Sequence, residues 1–184
     1  MFSLEQPEEL IKMRLICSLN NNQVNSPKEI EKLFSVSHPD IVVVDKNQEI
    51  ALLVDIQIQP PQIGELKEQY LSQFSQLYLE NANNEKDIRF AMSANLTNIT
   101  IFKSNSEIVR QPIVSFVSAD ILSHYEPDFS KKKILYLYFR TLLEAWLRDL
   151  AYHWKSEIPP GSQELAKIGL LEKLEGGDTY VQNE

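Results

Sequence analysis

Two apolar runs separated by a short polar segment dominate the hydrophobic pattern of the chain. Residues 41–44 are four consecutive β-branched side chains, and residues 50–58 are apolar until polar side chains alternate with them near the end. The Asp-Lys-Asn-Gln segment between them, residues 45–48, is rich in turn-forming side chains. Continuous apolar runs of this length, bounded by turns, are typical of buried strands. The pattern therefore predicts a β-hairpin over 41–58.

Helical and extended patterns lie on both sides of this hairpin. Apolar side chains three and four positions apart predict helices over 6–19 and 63–82. Pro60 and Pro61 end the second hairpin strand, because proline has no N–H to donate to a strand ladder. Four shorter segments are predicted to be extended: 30–36, 88–93, 98–103 and 112–117.

A long helix rich in aromatic side chains is predicted over 131–155. Seven residues make its broad apolar face: Leu135, Tyr138, Leu142, Leu143, Trp146, Leu150 and Trp154. Arg140, Glu144 and Arg148 fall on another face, four positions apart, where they can form ion pairs. We expect the apolar face to be covered by the domain itself or by a second chain, and a homodimer through this helix is predicted.

The chain divides into three parts on these patterns. Residues 1–125 form the predicted core, and residues 126–175 form a helical C-terminal extension that ends in a short helix over 162–174. Gly176 and the glycine that follows it open a polar tail, residues 176–184, which we expect to fray.

Composition narrows the class of protein. The 184 residues are 43% hydrophobic, enough for one domain with a packed core or for one domain with an appendage. No apolar run approaches the roughly 20 residues of a membrane span, and no signal peptide is visible. A single cysteine, Cys17, excludes an internal disulfide framework, so we expect a cytoplasmic protein without membrane association. No glycine-rich phosphate-binding motif occurs, and no small-molecule cofactor is predicted.

The charge is acidic overall but uneven. The chain has 18 lysines and arginines against 26 aspartates and glutamates, a net charge of −8. Such a charge disfavours unspecific binding to nucleic acid. Residues 131–155, however, carry six bases and two acids, so binding to DNA through this basic segment stays open.

Two aspartates give the hairpin its candidate chemistry. Asp40 begins the first strand and Asp55 lies within the second, so a tight hairpin can bring their carboxylates together. Buried charges are costly unless they are paired or bind a metal, and oxygen ligands suit a hard cation such as Mg²⁺. Two structural alternatives stay open: Asp40 as a turn-forming residue and Asp55 as a charge that protects a sheet edge. Gln57 also fits the simplest role for such a residue, that of a polar side chain on a half-exposed face.

The same residues resemble a known family. The His-Pro-Asp at 38–40, followed by the Asp-Ile-Gln at 55–57, is similar to the bipartite motif of the PD-(D/E)xK nuclease superfamily. The resemblance extends over residues 6–103 and implies an α/β, restriction-endonuclease-like core. That core has a mixed central sheet flanked by helices, and here it would carry a C-terminal helical addition.

Within that superfamily, the chain looks most like small bacterial proteins related to the N-terminal nuclease domain of type I restriction subunits. The stretches that carry this likeness are Pro-Glu-Glu at 7–9, Pro-Asp-Ile-Val-Val at 39–43 and Leu-Val-Asp-Ile-Gln at 53–57. The resemblance implies a Mg²⁺-dependent or Mn²⁺-dependent phosphodiesterase that acts on DNA.

The resemblance also implies roles for individual residues. Asp40 would bridge the metal and the scissile phosphate, Asp55 would be a second metal ligand, and the carbonyl oxygen of Ile56 would be a third. A glutamate of the first helix would complete the site, with Glu9 as the candidate and Glu8 as its rival. Both glutamates also fit the simpler role of acids favoured at a helix start.

Gln57 departs from the family pattern, which has a lysine at this position. A glutamine can orient a water molecule by hydrogen bonding but brings no positive charge. Three outcomes stay open: the site works with Gln57, Lys67 on the following helix substitutes, or the domain has lost catalysis. In the last case the protein would be an inactive nuclease-like module for binding or assembly, an alternative that the acidic charge also favours.

Overall fold

The computed structural model describes residues 39–58, 90–103 and 112–181. These residues form an α/β arrangement of six strands in one mixed sheet and four helices. In chain order the elements are β1 (Ile41–Val44), β2 (Ile50–Ile56), β3 (Phe90–Ala94), β4 (Asn98–Lys103), β5 (Val114–Val117), α1 (Ser118–Leu122), α2 (Tyr136–Tyr152), α3 (Ser162–Lys167), α4 (Leu171–Leu174) and β6 (Asp178–Val181). The elements predicted at 6–19, 30–36 and 63–82 lie outside the described residues.

The predicted hairpin is confirmed. β1 pairs antiparallel with β2, with Ile41 opposite Val54, and both strands are buried along almost their whole length. Asp45 closes the connecting turn, because its carboxylate accepts hydrogen bonds from the backbone N–H groups of Asn47 and Glu49 at 2.8 and 2.9 Å. Turn-forming side chains and β-branched runs thus produce the local structure that their chemistry favours.

The sheet extends the hairpin in both directions, in the order β5-β4-β3-β2-β1-β6. β2 and β3 run parallel, whereas the other neighbouring strands of the described sheet are antiparallel. A parallel pair needs a long crossover, and residues 57–89 provide that length. The predicted extended segments at 88–93, 98–103 and 112–117 are confirmed as β3, β4 and β5, with bounds that differ by a few residues.

Helix α2 packs its apolar side against one face of the sheet. Trp146 is fully buried there, its indole N–H donates to the Pro160 carbonyl at 2.8 Å, and its ring meets Phe116 edge-on. The apolar face that motivated the predicted homodimer is therefore largely used within the chain. The homodimer itself stays a prediction, as does the boundary between residues 125 and 126.

The predicted helix over 131–155 begins later than expected, at Tyr136. The buried carboxylate of Glu126 explains this difference, because it accepts hydrogen bonds from Lys132 Nζ at 3.1 and 3.2 Å and from the Tyr138 hydroxyl at 2.5 Å. These bonds hold the preceding segment in turns. The short helix predicted over 162–174 is two helices, α3 and α4, separated at Gly169, whose φ of 78° is left-handed.

The prediction of a fraying tail from residue 176 is wrong for residues 178–181. These residues form β6, which pairs antiparallel with β1. A Cβ on Gly177 would lie 2.1 Å from the Val44 carbonyl oxygen, so the glycine that suggested a loose tail instead permits a close backbone approach. Arg148 of α2 anchors the strand through an ion pair with Asp178 of β6 at 3.5 Å. The same guanidinium pairs with Glu144 of its own helix at 3.0 Å.

Removing the charge of Arg148 is expected to destabilise the fold strongly. Arg148→Met leaves the acidic partners on α2 and β6 buried without their cation, which costs about 3 kcal/mol of unfolding free energy. Urea denaturation measures the change. The matched control is Lys131→Met, which removes an exposed ion pair to Asp128 and should cost about 0.5 kcal/mol or less. Equal effects of the two substitutions would contradict the anchoring role of Arg148.

Candidate functional site

Asp40 lies where β1 begins, beside the end of β2. Its backbone N–H donates to the Val54 carbonyl at 2.9 Å, so the strand pairing reaches Asp40. Its side chain then crosses to the neighbouring strand, where Oδ2 accepts the backbone N–H of Ile56 at 2.6 Å. The carboxylate of Asp40 is therefore fixed against the last residue of β2.

Asp55 lies within β2 and is only 7% exposed. Its Oδ2 accepts a hydrogen bond from Gln57 Nε2 at 3.0 Å. Residues two positions apart in a strand share a face, and this bond holds the two side chains together on that face. The amide of Gln57 is thus a direct neighbour of the carboxylate that the sequence analysis paired with it.

The two carboxylates influence each other. Burial raises the pKa of Asp55 to about 6; the hydrogen bond from Gln57 opposes this rise, and the negative charge of Asp40 adds to it. Burial also raises the pKa of Asp40, against hydrogen bonds from Tyr136 and Ile56 and the positive charge of Arg140, which lower it. Asp40 and Asp55 therefore belong to one electrostatic site in which a second negative charge is unfavourable.

The backbone of β2 directs a third oxygen toward Asp40. The N–H of Gln57 donates to the Ala94 carbonyl of β3 at 2.8 Å, whereas the N–H of Ile56 faces Asp40 on the opposite side. The N–H and C=O of one strand residue point to the same side, so the Ile56 carbonyl also faces the side of Asp40. Two carboxylates and this carbonyl, the three oxygens expected as metal ligands, thus lie at the same end of β2.

Helix α2 adds two residues that the sequence analysis did not assign to the site. The Tyr136 hydroxyl donates a hydrogen bond to Asp40 Oδ1. Burial and the neighbouring Asp40 raise the pKa of Tyr136 to about 12, so the hydroxyl keeps its proton and remains a donor. Arg140, one helical turn later, places its guanidinium carbon 5.8 Å from the centre of the Tyr136 ring.

Sequence patterns alone did not predict that Tyr136 and Arg140 lie near Asp40. Arg140 was assigned to a charged helix face with Glu144 and Arg148, and of that set the Glu144–Arg148 pair is formed at 3.0 Å. The spacing of four between Tyr136 and Arg140 was a usable signal for contact between them. Nothing local linked either residue to Asp40, which lies 96 positions before Tyr136.

The remaining predicted site residues, Glu9 with its rival Glu8 and Lys67, lie outside the described residues. Within the described ranges no three His, Cys, Asp or Glu side chains are grouped so that they could hold a metal ion. Of the metal ligands that the resemblance implies, the described residues include the two carboxylates and the backbone carbonyl. None of the described helices is long and apolar enough to cross a membrane.

Comparison of the chain with protein-family models, curated proteins and solved structures gives no match. The chemistry of the site therefore has to be argued from its own geometry.

Replacing Asp55 by its neutral isostere is expected to stabilise the metal-free protein. The folded-state pKa of Asp55, about 6, lies above its usual 3.8, so ionised Asp55 opposes folding and stability is lost as the pH rises through that interval. Asp55→Asn should therefore gain about 2 kcal/mol of unfolding free energy at pH 7.5, with the gain disappearing near pH 4.

Chemical denaturation in the presence of a chelator measures this gain at both pH values. Asp120→Asn, at an exposed aspartate of α1, is the control and should show no comparable increase. A variant Asp55→Asn that is less stable than the parent at pH 7.5 would show that the carboxylate is a structural requirement.

Proposed function

We propose that the protein is a Mg²⁺-dependent or Mn²⁺-dependent phosphodiesterase that acts on DNA. Its core would be restriction-endonuclease-like, with Gln57 where related nucleases have a lysine. One observation carries the proposal: Asp40 and Asp55 are held side by side in a buried setting that disfavours their charges. Such an arrangement opposes folding, and a function that needs two carboxylates accounts for it.

The described residues suit a hard divalent cation. Asp40, Asp55 and the Ile56 carbonyl supply only oxygen donors, which Mg²⁺ and Mn²⁺ prefer. Each carboxylate oxygen has two lone pairs, so the hydrogen bonds from Ile56 and Tyr136 leave Asp40 free acceptor positions. When bound, such an ion supplies polarisation of a phosphoryl oxygen and a lowered pKa of bound water.

The neighbouring residues would position the reactants. The side-chain nitrogen of Gln57 donates to Asp55. The side-chain oxygen of Gln57 can then accept a hydrogen bond from an attacking water. Asp40, fixed by Ile56 and Tyr136, would present its carboxylate at a constant place beside the scissile phosphate. Positioning of this kind lowers the barrier by removing the need to order the reacting groups.

A second candidate function is an inactive nuclease-like module for binding or assembly. The observation that favours it is the neutral Gln57 amide hydrogen-bonded to Asp55, at a position where the family carries a positive charge. An inactive site can keep its carboxylates and its fold while it has lost a group that answers developing negative charge.

Metal binding is expected to raise the melting temperature. A ligand that binds only the folded state at about ten times its dissociation constant adds about 1.4 kcal/mol, which is about 4 °C for a chain of this size. Differential scanning fluorimetry with increasing Mg²⁺ or Mn²⁺ measures the shift. Asp40→Asn combined with Asp55→Asn should abolish it, whereas Asp120→Asn should preserve it. A parent protein whose melting temperature does not change with either cation would lack the proposed metal site.

Substitutions of Gln57 separate an enzyme from an inactive module. If the parent cleaves DNA with Mg²⁺ or Mn²⁺, Gln57→Ala should slow cleavage about ten- to a hundredfold, the effect of losing one positioned polar group. If the parent is a weakened nuclease, Gln57→Lys should increase cleavage, and adding Asp55→Ala should remove it. Parent and Gln57→Lys proteins that both leave duplex, single-stranded and branched DNA intact would exclude catalysis and favour the binding module.

A further inference from the structure

Phosphodiester cleavage at the proposed site needs a positive charge that Gln57 does not supply. Negative charge develops on the phosphoryl oxygens in the transition state, and a cation positioned nearby stabilises it. From the sequence, Lys67, which follows the motif in the chain, is the expected source of this charge. The described structure places a different cation, Arg140, near enough for its charge to act on Asp40.

Arg140 reaches the site through Tyr136. The two residues lie four positions apart on α2, and the guanidinium carbon is 5.8 Å from the centre of the Tyr136 ring, a distance typical of cation–π contact. Arg140 also forms a side-chain hydrogen bond with Tyr136, and the Tyr136 hydroxyl donates to Asp40 Oδ1. Tyr136 therefore contacts both the carboxylate and the cation. Burial raises the pKa of Asp40, and the positive charge of Arg140 opposes that rise.

Arg140 also has the chemistry and the exposure that a phosphate contact requires. Its side chain is partly exposed, whereas Arg148 is buried. A guanidinium carries five donors in a planar fork, which match two oxygens of one phosphate. Its position beside an aromatic ring limits its rotamers, so less entropy is lost when it binds.

We propose that Arg140 is a catalytic residue that binds the scissile phosphate and supplies the positive charge missing at Gln57, with Tyr136 positioning it beside Asp40. This inference rests on the proposed phosphodiesterase function. It makes helix α2 a part of the active site, and it makes the lysine of the family motif unnecessary in this chain.

Three substitutions at Arg140 test the assignment. Arg140→Met keeps an apolar stem against the Tyr136 ring and removes the charge, Arg140→Lys keeps the charge without the fork, and Arg140→Ala removes both. We expect kcat for DNA cleavage to fall about a hundredfold in Arg140→Met and less in Arg140→Lys. Added guanidinium ion should partly restore Arg140→Ala, a result that a purely structural role would not give. Lys167→Gln removes an exposed charge from α3 and should leave kcat unchanged.

A binding measurement separates this inference from the proposed activity. Fluorescence anisotropy of a labelled short DNA duplex, with Ca²⁺ in place of Mg²⁺, reports phosphate contacts without cleavage. Arg140→Met should weaken binding about tenfold and reduce the slope of log affinity against log salt by about one, whereas Lys167→Gln should change neither.

The outcomes are distinct. Loss of binding in Arg140→Met with an inert parent would support the phosphate contact and refute the phosphodiesterase. A parent that cleaves DNA, with kcat and binding unchanged in Arg140→Met, would refute the role of Arg140 and leave the phosphodiesterase standing. A parent that neither binds nor cleaves DNA would refute both.

Discussion

The carboxylate of Asp40 joins three parts of the molecule that are far apart in the chain. Its own residue opens β1, one oxygen accepts the N–H of Ile56 at the end of β2, and the other accepts the hydroxyl of Tyr136 at the start of α2. A carboxylate buried to this degree has to be satisfied by hydrogen bonds, because an unsatisfied charge would cost several kcal/mol, about the size of the whole stability margin. One side chain therefore ties the hairpin to the helix at this end of the sheet.

Asp55, in contrast to Asp40, lowers the stability of the fold. It is nearly as buried as the apolar side chains around it, its main hydrogen-bond donor is the neutral Gln57 amide, and the charge of Asp40 lies nearby. The apolar sheet tolerates this cost because the strands beside it are buried on both faces and contribute the stability that the site gives up. The same burial that weakens the fold at Asp55 strengthens every electrostatic interaction made there, a compromise that the proposed function would explain.

The parts of this structure that sequence could predict are those decided by near neighbours. The β-branched run at 41–44, the turn closed by Asp45 and the shared face of Asp55 and Gln57 all follow from local rules. Local rules were wrong at β6, where two glycines and polar side chains resemble a loose end. The strand forms because Gly177 admits the Val44 carbonyl and because a distant arginine pairs with it.

The same limit applies to the site. Motif and period placed Asp40, Asp55 and the Ile56 carbonyl at one end of the hairpin, where the structure has them, since all three belong to neighbouring strands. Their role as metal ligands stays a prediction. Tyr136 and Arg140 were missed because their relation to Asp40 exists only after α2 has packed on the sheet. Long-range contacts of this kind carry no periodic signal, so a charged residue on a helix looks like any other until its neighbours across the core are known.

The position of β6 has a consequence for how the chain matures during synthesis. β1, which directly follows Asp40, has β2 on one side and β6 on the other, and β6 is made of residues 178–181. On the ribosome, β1 and β2 emerge long before β6, so a nascent chain carries β1 as an open edge that can pair with other chains. Within the described sheet, that edge gains its partner only when residues 178–181 have been made, and a product that terminates before them lacks β6 altogether.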